Sequence, residues 1–540
     1  MKNKKAENFS KRTRYVFTVG SEKSFRRKTY FSRFSAFEGE KNIMERCAGV
    51  LLNVSSMPSK YGIGGFSSDT ENCLNDFAGL GFKIWQTLPI TSLGWGNSPY
   101  SGISSYAGNY LYIDPDRLDG LLTREELAKA EYNESIYLTD YAYAAETKTR
   151  LFRLAYSRLN DAQKEKIADF GEENKAWIYD YAVFMLLKNK FDQTAWTTWG
   201  RYSRHSAELV EEVKKAESYE TGYYVFEQYY FFRQWKAIRK YAADLGIKVF
   251  GDMPMYVCRD SVDVWANPQY FKLDRNYNPT EVAGVPPDYF AKDGQLWGNP
   301  LYDYAKMAKN EYKWWTDRIA HMMRLYDMLR IDHFRGLYEY WAVPADAKTA
   351  KEGRWCKGPQ EALFTAIAKA VPDAVIIAED LGIIDDKVEK FLEETGLYGM
   401  RVMQFGFDGD KKNKHLPHNY DKKCVAYTAT HDNDTTLGWL MSLPDDVLLD
   451  ALNYVNCDAG YGWADGAGRC RATRAFVRAV MASCADIAIV PLQDLCGYGS
   501  DTRMNTPGQA DGCWRYRTNF GAINCIDNEF VRNLITTYGR

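Results

Sequence analysis

Eight short runs of β-branched and other apolar residues punctuate the chain, most of them preceded by a stretch with helical spacing, and few folds accommodate that alternation. The runs are Ala48–Val54, Lys83–Leu88, Ile247–Phe250, Met328–Ile331, Ala374–Ala378, Met400–Phe405, Val425–Thr428 and Ile487–Leu492. Cys73, Leu74, Phe77 and Ala78 share one helical face ahead of Gly81 and the second run. Trp235, Ile238, Ala242 and Leu245 repeat the pattern ahead of Gly246 and the third, and Phe476, Val477, Val480 and Cys484 ahead of the eighth. Strands joined through helices run parallel, so this is an α/β chain. Eight such units predict a (β/α)8 TIM barrel.

Two segments exceed what a minimal barrel needs. About 155 residues separate the second and third runs, against ~30 for a whole βαβ unit. Within them, residues 111–232 are rich in Glu, Lys, Ala, Leu and Tyr, which predicts a helical insertion. Residues 252–300 carry Pro, Gly, Asp and aromatic residues with little apolar periodicity, the mark of an ordered functional loop. Residues 1–43 hold 12 Lys/Arg against 4 Asp/Glu, a net of +8, with no apolar core for a signal peptide. They read as a basic, disordered extension. Residues 44–540 then form one catalytic domain.

That division leaves the rest of the chain at −10, and the whole at −2, where a dedicated nucleic-acid binder shows a basic excess. No stretch approaches the ~20 apolar residues of a membrane span; the longest, Val480 to Leu492, is broken by Asp486. Eleven cysteines, an odd number without CxxC pairs, fit a reducing compartment and a cytoplasmic protein. His415 and His418 lie three apart in a polar stretch without further metal-ligand spacing and read as a solvated loop. P-loop, HExxH and GxSxG signatures are missing.

Carboxylates stand just past the ends of four runs: Asp252 in Val-Phe-Gly-Asp, Asp332 in Leu-Arg-Ile-Asp, Glu379 in Ile-Ile-Ala-Glu and Asp432 in Thr-His-Asp-Asn. In a (β/α)8 barrel those ends form the active-site face. A single carboxylate there is ordinarily a helix cap, but four at equivalent positions point to chemistry. Arg330 lies two residues before Asp332, on the same side of a strand, where a guanidinium keeps the carboxylate ionised as a nucleophile requires. Glu379 follows a buried run, and burial keeps a carboxyl protonated, as a general acid requires. One ionised and one protonated carboxyl are the parts of retaining glycosidic chemistry. Asp432, beside His431, is placed to hold sugar hydroxyls. Tyr61 and Trp297 stand in glycine-rich loops that offer little core to fill, and a flat ring there is available to stack on a sugar.

At these residues the chain resembles the amylomaltase, or 4-alpha-glucanotransferase, family. The resemblance runs from about Ala48 to Arg517 through ordered blocks. They are Tyr-Gly-Ile-Gly at 61–64, Asp252-Met-Pro, Ala-Gly-Val-Pro-Pro-Asp at 283–288, Gln-Leu-Trp-Gly-Asn-Pro at 295–300, and Arg-Ile-Asp-His-Phe-Arg-Gly at 330–336. Ala-Glu-Asp-Leu-Gly at 378–382, Thr-His-Asp-Asn at 430–433 and Arg-Met-Asn-Thr-Pro-Gly at 503–508 complete the series. It implies a barrel with helical insertions and no C-terminal β-sandwich domain. It also implies double-displacement transfer between malto-oligosaccharides and linear α-1,4-glucans. Asp332 would be the nucleophile, Glu379 the acid and base, and Asp432 the transition-state stabiliser. Tyr61, Asp252, Trp297, Arg330, His431 and Asn505 would contact sugar, and no metal or organic cofactor is implied. Two positions depart from the family pattern: Asn53, where His is common, and Gly65, where Asp is frequent. The competing readings are an amylase-type hydrolase with the same carboxylates and water as acceptor, an inert glucan-binding protein, and an interaction protein acting through its helical insertion.

Overall fold

The computed structural model describes residues 45–287, 292–382, 384–460, 462–509 and 511–540, so the basic extension 1–43 lies outside the described residues. Eight parallel strands form the centre. They are β1 (Cys47–Leu51), β2 (Ile84–Gln86), β3 (Lys248–Met253), β4 (Met328–Ile331), β5 (Ile376–Ala378), β6 (Gly399–Val402), β7 (Cys424–Tyr427) and β8 (Ile487–Pro491). Each pairs with its neighbour in chain order, and β1 pairs with β8 from Cys47↔Ile487 to Leu51↔Pro491. The ring closes between β5 and β6, where Ala378 N–H donates to Tyr398 O at 2.8 Å. All eight expected runs are barrel strands. Burial on both faces explains why they read as continuous apolar runs rather than alternating ones. Interior crowding selects some residues directly: a Cβ on Gly49 of β1 would stand 2.5 Å from Ile489 Cδ1 and 2.7 Å from Ile84 Cβ.

Helices pack outside. The first, α1 (Ser68–Leu80), has Asp69 and Glu71 in its first turn, complementing the dipole, and ends at Gly81 in the left-handed region (φ 99°). Between β2 and β3 come α2 (Tyr141–Ser157), α3 (Asp161–Glu173), α4 (Ile178–Lys190), α5 (Ala207–Ala216) and α6 (Ser218–Asp244). The long α6 buries Tyr223, Phe226, Tyr230, Phe231 and Trp235. Two of its buried glutamines stitch the irregular chain after β2 onto it. Gln228 Oε1 accepts from Gly108 N (2.7 Å) while its Nε2 donates to Gly108 O (3.0 Å), and Gln234 makes the same pair with Asp114. Side-chain amides thus take the place of a strand partner, which keeps buried backbone groups satisfied.

The segment 252–300 is more regular than its composition suggests. Glu281–Val285 and Gln295–Pro300 join Glu339–Pro344 and Arg354–Lys357 in a four-stranded antiparallel sheet beside the barrel mouth. The remaining helices flanking the barrel include α7 (Lys313–Leu325), α8 (Gln360–Ala370), α9 (Asp386–Thr395), α10 (Arg471–Ala482) and α11 (Asn528–Tyr538). No strand follows β8 among the described residues. His415 is buried, its Nδ1 accepting from Val402 N–H (3.1 Å) at the end of β6, so it satisfies a barrel backbone group rather than facing water. No helix among the described residues is long and apolar enough to cross a membrane.

Candidate active site

The register between β3 and β4 sets Asp252 beside Arg330. Arg330 is buried, and its two terminal nitrogens serve two carboxylates: Nη1 donates to Asp252 Oδ2 at 2.6 Å and Nη2 to Asp332 Oδ1 at 2.9 Å. Asp332 is the first residue past β4, and its side chain is 31% exposed, so the guanidinium fixes one oxygen while the carboxylate still meets solvent. A charge-assisted pair of this kind fixes a carboxylate in one orientation.

Glu379 is the first residue past β5, and its carboxylate binds back to the β4 tip. Glu379 Oε2 accepts from His333 N–H (2.7 Å) and Oε1 from Leu381 N–H (2.9 Å). The backbone at His333 reaches this position in the left-handed region, φ 49°, a conformation that non-glycine residues adopt at a cost. Burial raises the Glu379 carboxyl to about 7, with the Asp332 charge adding to the rise and Arg330 and the two N–H donors opposing it. The nucleophile and acid suggested by the sequence are therefore brought to adjoining strand tips, one paired with a buried guanidinium and the other able to carry a proton near neutrality.

Asp432 sits five residues past the end of β7. Its Oδ1 accepts from Asn505 Nδ2 (2.6 Å), and its Oδ2 lies 3.3 Å from His431 Nε2. Burial opposes its charge, but His431, Asn505 and Arg330 outweigh it and pull the carboxyl well below the usual range. Asn505 N–H also donates to His431 O (3.1 Å), and Arg503 Nη2 to Asp432 O (2.8 Å), so the segment after β8 grips this loop from outside.

Asp332, Trp297 and Asn505 line one open cleft, together with Tyr100, Tyr256, His333 and Trp514. Trp297 projects from the side sheet, 38% exposed, its ring edge-on to His333 at 4.8 Å. Across the cleft lining, Tyr100 stacks on His431 (5.2 Å, 11°) and leans on Trp514 (5.8 Å). Burial lowers His333 to about 4, which leaves a neutral imidazole whose buried Nε2 has no hydrogen-bond partner among the described residues. Sequence reasoning missed Tyr100, Tyr256, His333 and Trp514. Tyr100 carried the same signal as Trp297, an aromatic ring in a Gly- and Ser-rich loop, and His333 lay inside the Asp332 motif.

Two expected sugar contacts are placed elsewhere. Tyr61 is 3% exposed, and its hydroxyl donates to Asp116 Oδ2 at 2.8 Å; a ring with no open face cannot stack on a sugar. Asp252 is part of strand β3 rather than beyond its end, and its side chain is fully covered. Arg330 and Tyr100, which donates to Asp252 Oδ2 at 2.7 Å, lie against it, so it supports Arg330 instead of touching substrate. The departures from the family pattern are structural here. Asn53 caps the turn after β1, accepting from Val54 N and Thr87 Oγ1, and a Cβ at Gly65 would lie 2.7 Å from Tyr112 O.

Residues 52–522 match the family model for 4-alpha-glucanotransferase. A 4-alpha-glucanotransferase of Clostridium butyricum is 38% identical over 497 residues, spanning 91% of this chain and 100% of its own. The chloroplastic/amyloplastic 4-alpha-glucanotransferase of Solanum tuberosum is 39% identical over 512 residues, 92% of this chain and 86% of its own. Among solved structures, amylomaltase from Streptococcus agalactiae in complex with acarbose aligns with a TM-score of 0.87 at 34% identity, covering 92% of this chain and 100% of that one. The amylomaltase from Corynebacterium glutamicum, at 17% identity and a TM-score of 0.74 over 94% of this chain and 76% of that one, shares the fold.

Proposed function

The chain belongs to the 4-alpha-glucanotransferase family, an enzyme of the glycosyl-transferring class, and from that premise we propose that Asp332, Glu379 and Asp432 carry out retaining double displacement. The donor is an α-1,4-glucan of the malto-oligosaccharide class; the Streptococcus agalactiae amylomaltase is solved in complex with acarbose. The single observation that carries the reading is the Arg330–Asp332–Glu379 arrangement. An ion-paired carboxylate and a carboxyl raised to about 7 stand on adjoining strand tips, beside a cleft with exposed Trp297.

In the first step Asp332 Oδ2, the oxygen that Arg330 does not hold, attacks the anomeric carbon. The glycosidic bond breaks, and Glu379 gives its proton to the departing 4-oxygen. In the second step the 4-hydroxyl of another glucan attacks the glucosyl–Asp332 ester, Glu379 takes that proton back, and Asp332 is released as the carboxylate. Asp432 stays ionised and accepts hydrogen bonds from sugar hydroxyls of the distorted ring, with His431 and Asn505 keeping it in place. Asn505 and Trp297 are the contacts from the earlier set that remain in the cleft lining.

A cytoplasmic setting is part of the same reading, supported by eleven cysteines that are all free thiols, five of them buried. We also read residues 44–540 as one catalytic domain, supported by a contiguous apolar core from Ala48 to Ile535. The test is maltotriose disproportionation, with product chain lengths and total reducing ends followed together. Transfer builds a ladder of shorter and longer glucans at constant reducing ends, and Asp332→Ala abolishes it. Rising reducing ends would replace transfer with hydrolysis, and no change in either quantity would leave an inert binder.

A further inference from the structure

Asp432 stands on a loop, and the structure shows what holds that loop's two ends together. Asp494, in the short helix Leu492–Cys496 directly after β8, is buried and carries three short bonds. Its Oδ2 accepts from Thr428 Oγ1 (2.6 Å), the first residue past β7, and from Thr436 Oγ1 (2.7 Å). Its Oδ1 accepts from Thr436 N–H (2.7 Å), the first residue of the helix Thr436–Ser442. One buried carboxylate therefore closes the span from 428 to 436, and Asp432 lies at its middle. Inside the span Asn433 Oδ1 accepts from Thr430 N–H and Thr430 Oγ1, and Asp434 is held by Gln404 Nε2 at its carbonyl (2.9 Å) and by Ser500 Oγ at its carboxylate (2.7 Å), while Asp494 joins the outer ends at 428 and 436.

We propose that Asp494 is a positioning residue for Asp432, acting by clamping both ends of the loop so that the Asp432 carboxylate is pre-set for the transition state. The proposal rests on the reading of Asp432 as the group that touches sugar. Thr428 and Thr436 are completely buried, so removing Asp494 strips three buried donors of their shared acceptor and the loop ends part. Loss of that geometry acts on the turnover step, because Asp432 matters most when the ring is distorted and charge develops.

The test compares kcat and KM for α-maltosyl fluoride, an activated donor with measurable turnover in crippled variants, using maltose as acceptor. Rates are referred to the folded fraction measured by circular dichroism. Asp494→Ala is expected to lower kcat roughly 30-fold with KM changed less than about twofold. In an Asp432→Asn background the same substitution is expected to cost less than about threefold, because the group it acts through is already gone. Thr428→Val, nearly isosteric, removes one anchor and is expected to lower kcat about fivefold with the same dependence on background. An Asp494→Ala enzyme with kcat within twofold of the parent, or with equal losses in both backgrounds, overturns the proposal. Should Asp494→Ala fail to fold, Thr428→Val decides by the same two criteria. Wild-type kcat in Asp432→Asn alone would instead overturn the role of Asp432 itself, which separates the two failures.

Discussion

Asp332 and Glu379 are the first residues past β4 and β5, while Asp432 rides on a loop five residues past β7. The first pair is held by charge and by backbone: Arg330 reaches from within β4, with Asp252 of β3 behind it, and Glu379 is tied to two N–H groups. The third carboxylate is held by neighbours from the segment after β8, namely Asn505, Arg503 and, through the loop ends, Asp494. A strand-mounted group inherits the stiffness of the barrel, and its support has to compensate a buried charge. A loop-mounted group needs ties from several separate residues. The contrast matches the tasks proposed for them: bond making and breaking demands a fixed pair, whereas holding hydroxyls of a deforming ring tolerates a separately tuned part.

The sharpest way to probe the strand-mounted pair is Glu379→Gln, which keeps shape and removes the transferable proton. Transfer from maltotriose is expected to fall about 10³- to 10⁴-fold, with a much smaller loss in the first step from α-maltosyl fluoride, whose leaving group needs no acid. The same proton sets the pH profile. Burial places the carboxyl near 7, so the acid form is present below that pH and lost above it. For maltotriose, kcat/KM is expected to drop about tenfold per pH unit on the alkaline side, and a flat profile to pH 9 would contradict the assignment.

Next in size is Arg330→Met, which leaves Asp252 and Asp332 without their shared cation. Breaking a buried pair from one side costs on the order of 3–5 kcal/mol, so a thermal melt should fall by several degrees; Asp252→Asn added on top should recover part of it. An unchanged melt would mean that the strand-mounted carboxylates do not depend on charge, and the comparison would collapse. Trp297→Ala touches neither mount. It is expected to raise KM for maltotriose about 5- to 10-fold, with kcat less affected, because the lost contact is a stacking surface. Smallest is Tyr61→Phe, where the hydroxyl faces Asp116 away from the cleft lining; transfer rates within about twofold of the parent are expected.

The barrel and the strand-mounted pair were legible in sequence because both follow from local pattern. Eight apolar runs mark strands buried on both faces, and a carboxylate just past such a run lies at the barrel mouth. Asp252 shows the limit of that rule, since β3 continues through it to Met253 and turns an apparent loop residue into a buried support. Tyr61 and Tyr100 show another. Both are tyrosines in glycine-rich stretches, and only tertiary packing decides that one is walled in beside Asp116 while the other leans on His431. The side sheet escaped notice because its central pairing joins Glu281–Gly284 to Trp341–Pro344, about 60 residues further along, and the strands Glu281–Val285 and Gln295–Pro300 show no steady alternation in burial. Asp494 reads as one more acidic residue until the fold brings Thr428 and Thr436 to it from more than fifty residues away.

The pairing of β1 with β8 has a consequence for how the molecule comes into being. Cys47–Leu51 and Ile487–Pro491 are hydrogen-bonded partners separated by about 440 residues of chain. Synthesis at roughly 5–20 residues per second leaves β1 with one unsatisfied edge for about 20–90 s after it is made. During that interval the nascent chain presents a short apolar strand seeking a partner, the kind of surface that chaperones cover and that aggregates exploit. The last barrel strand therefore also ends that exposure: when it seats beside the first, β1 loses its open edge.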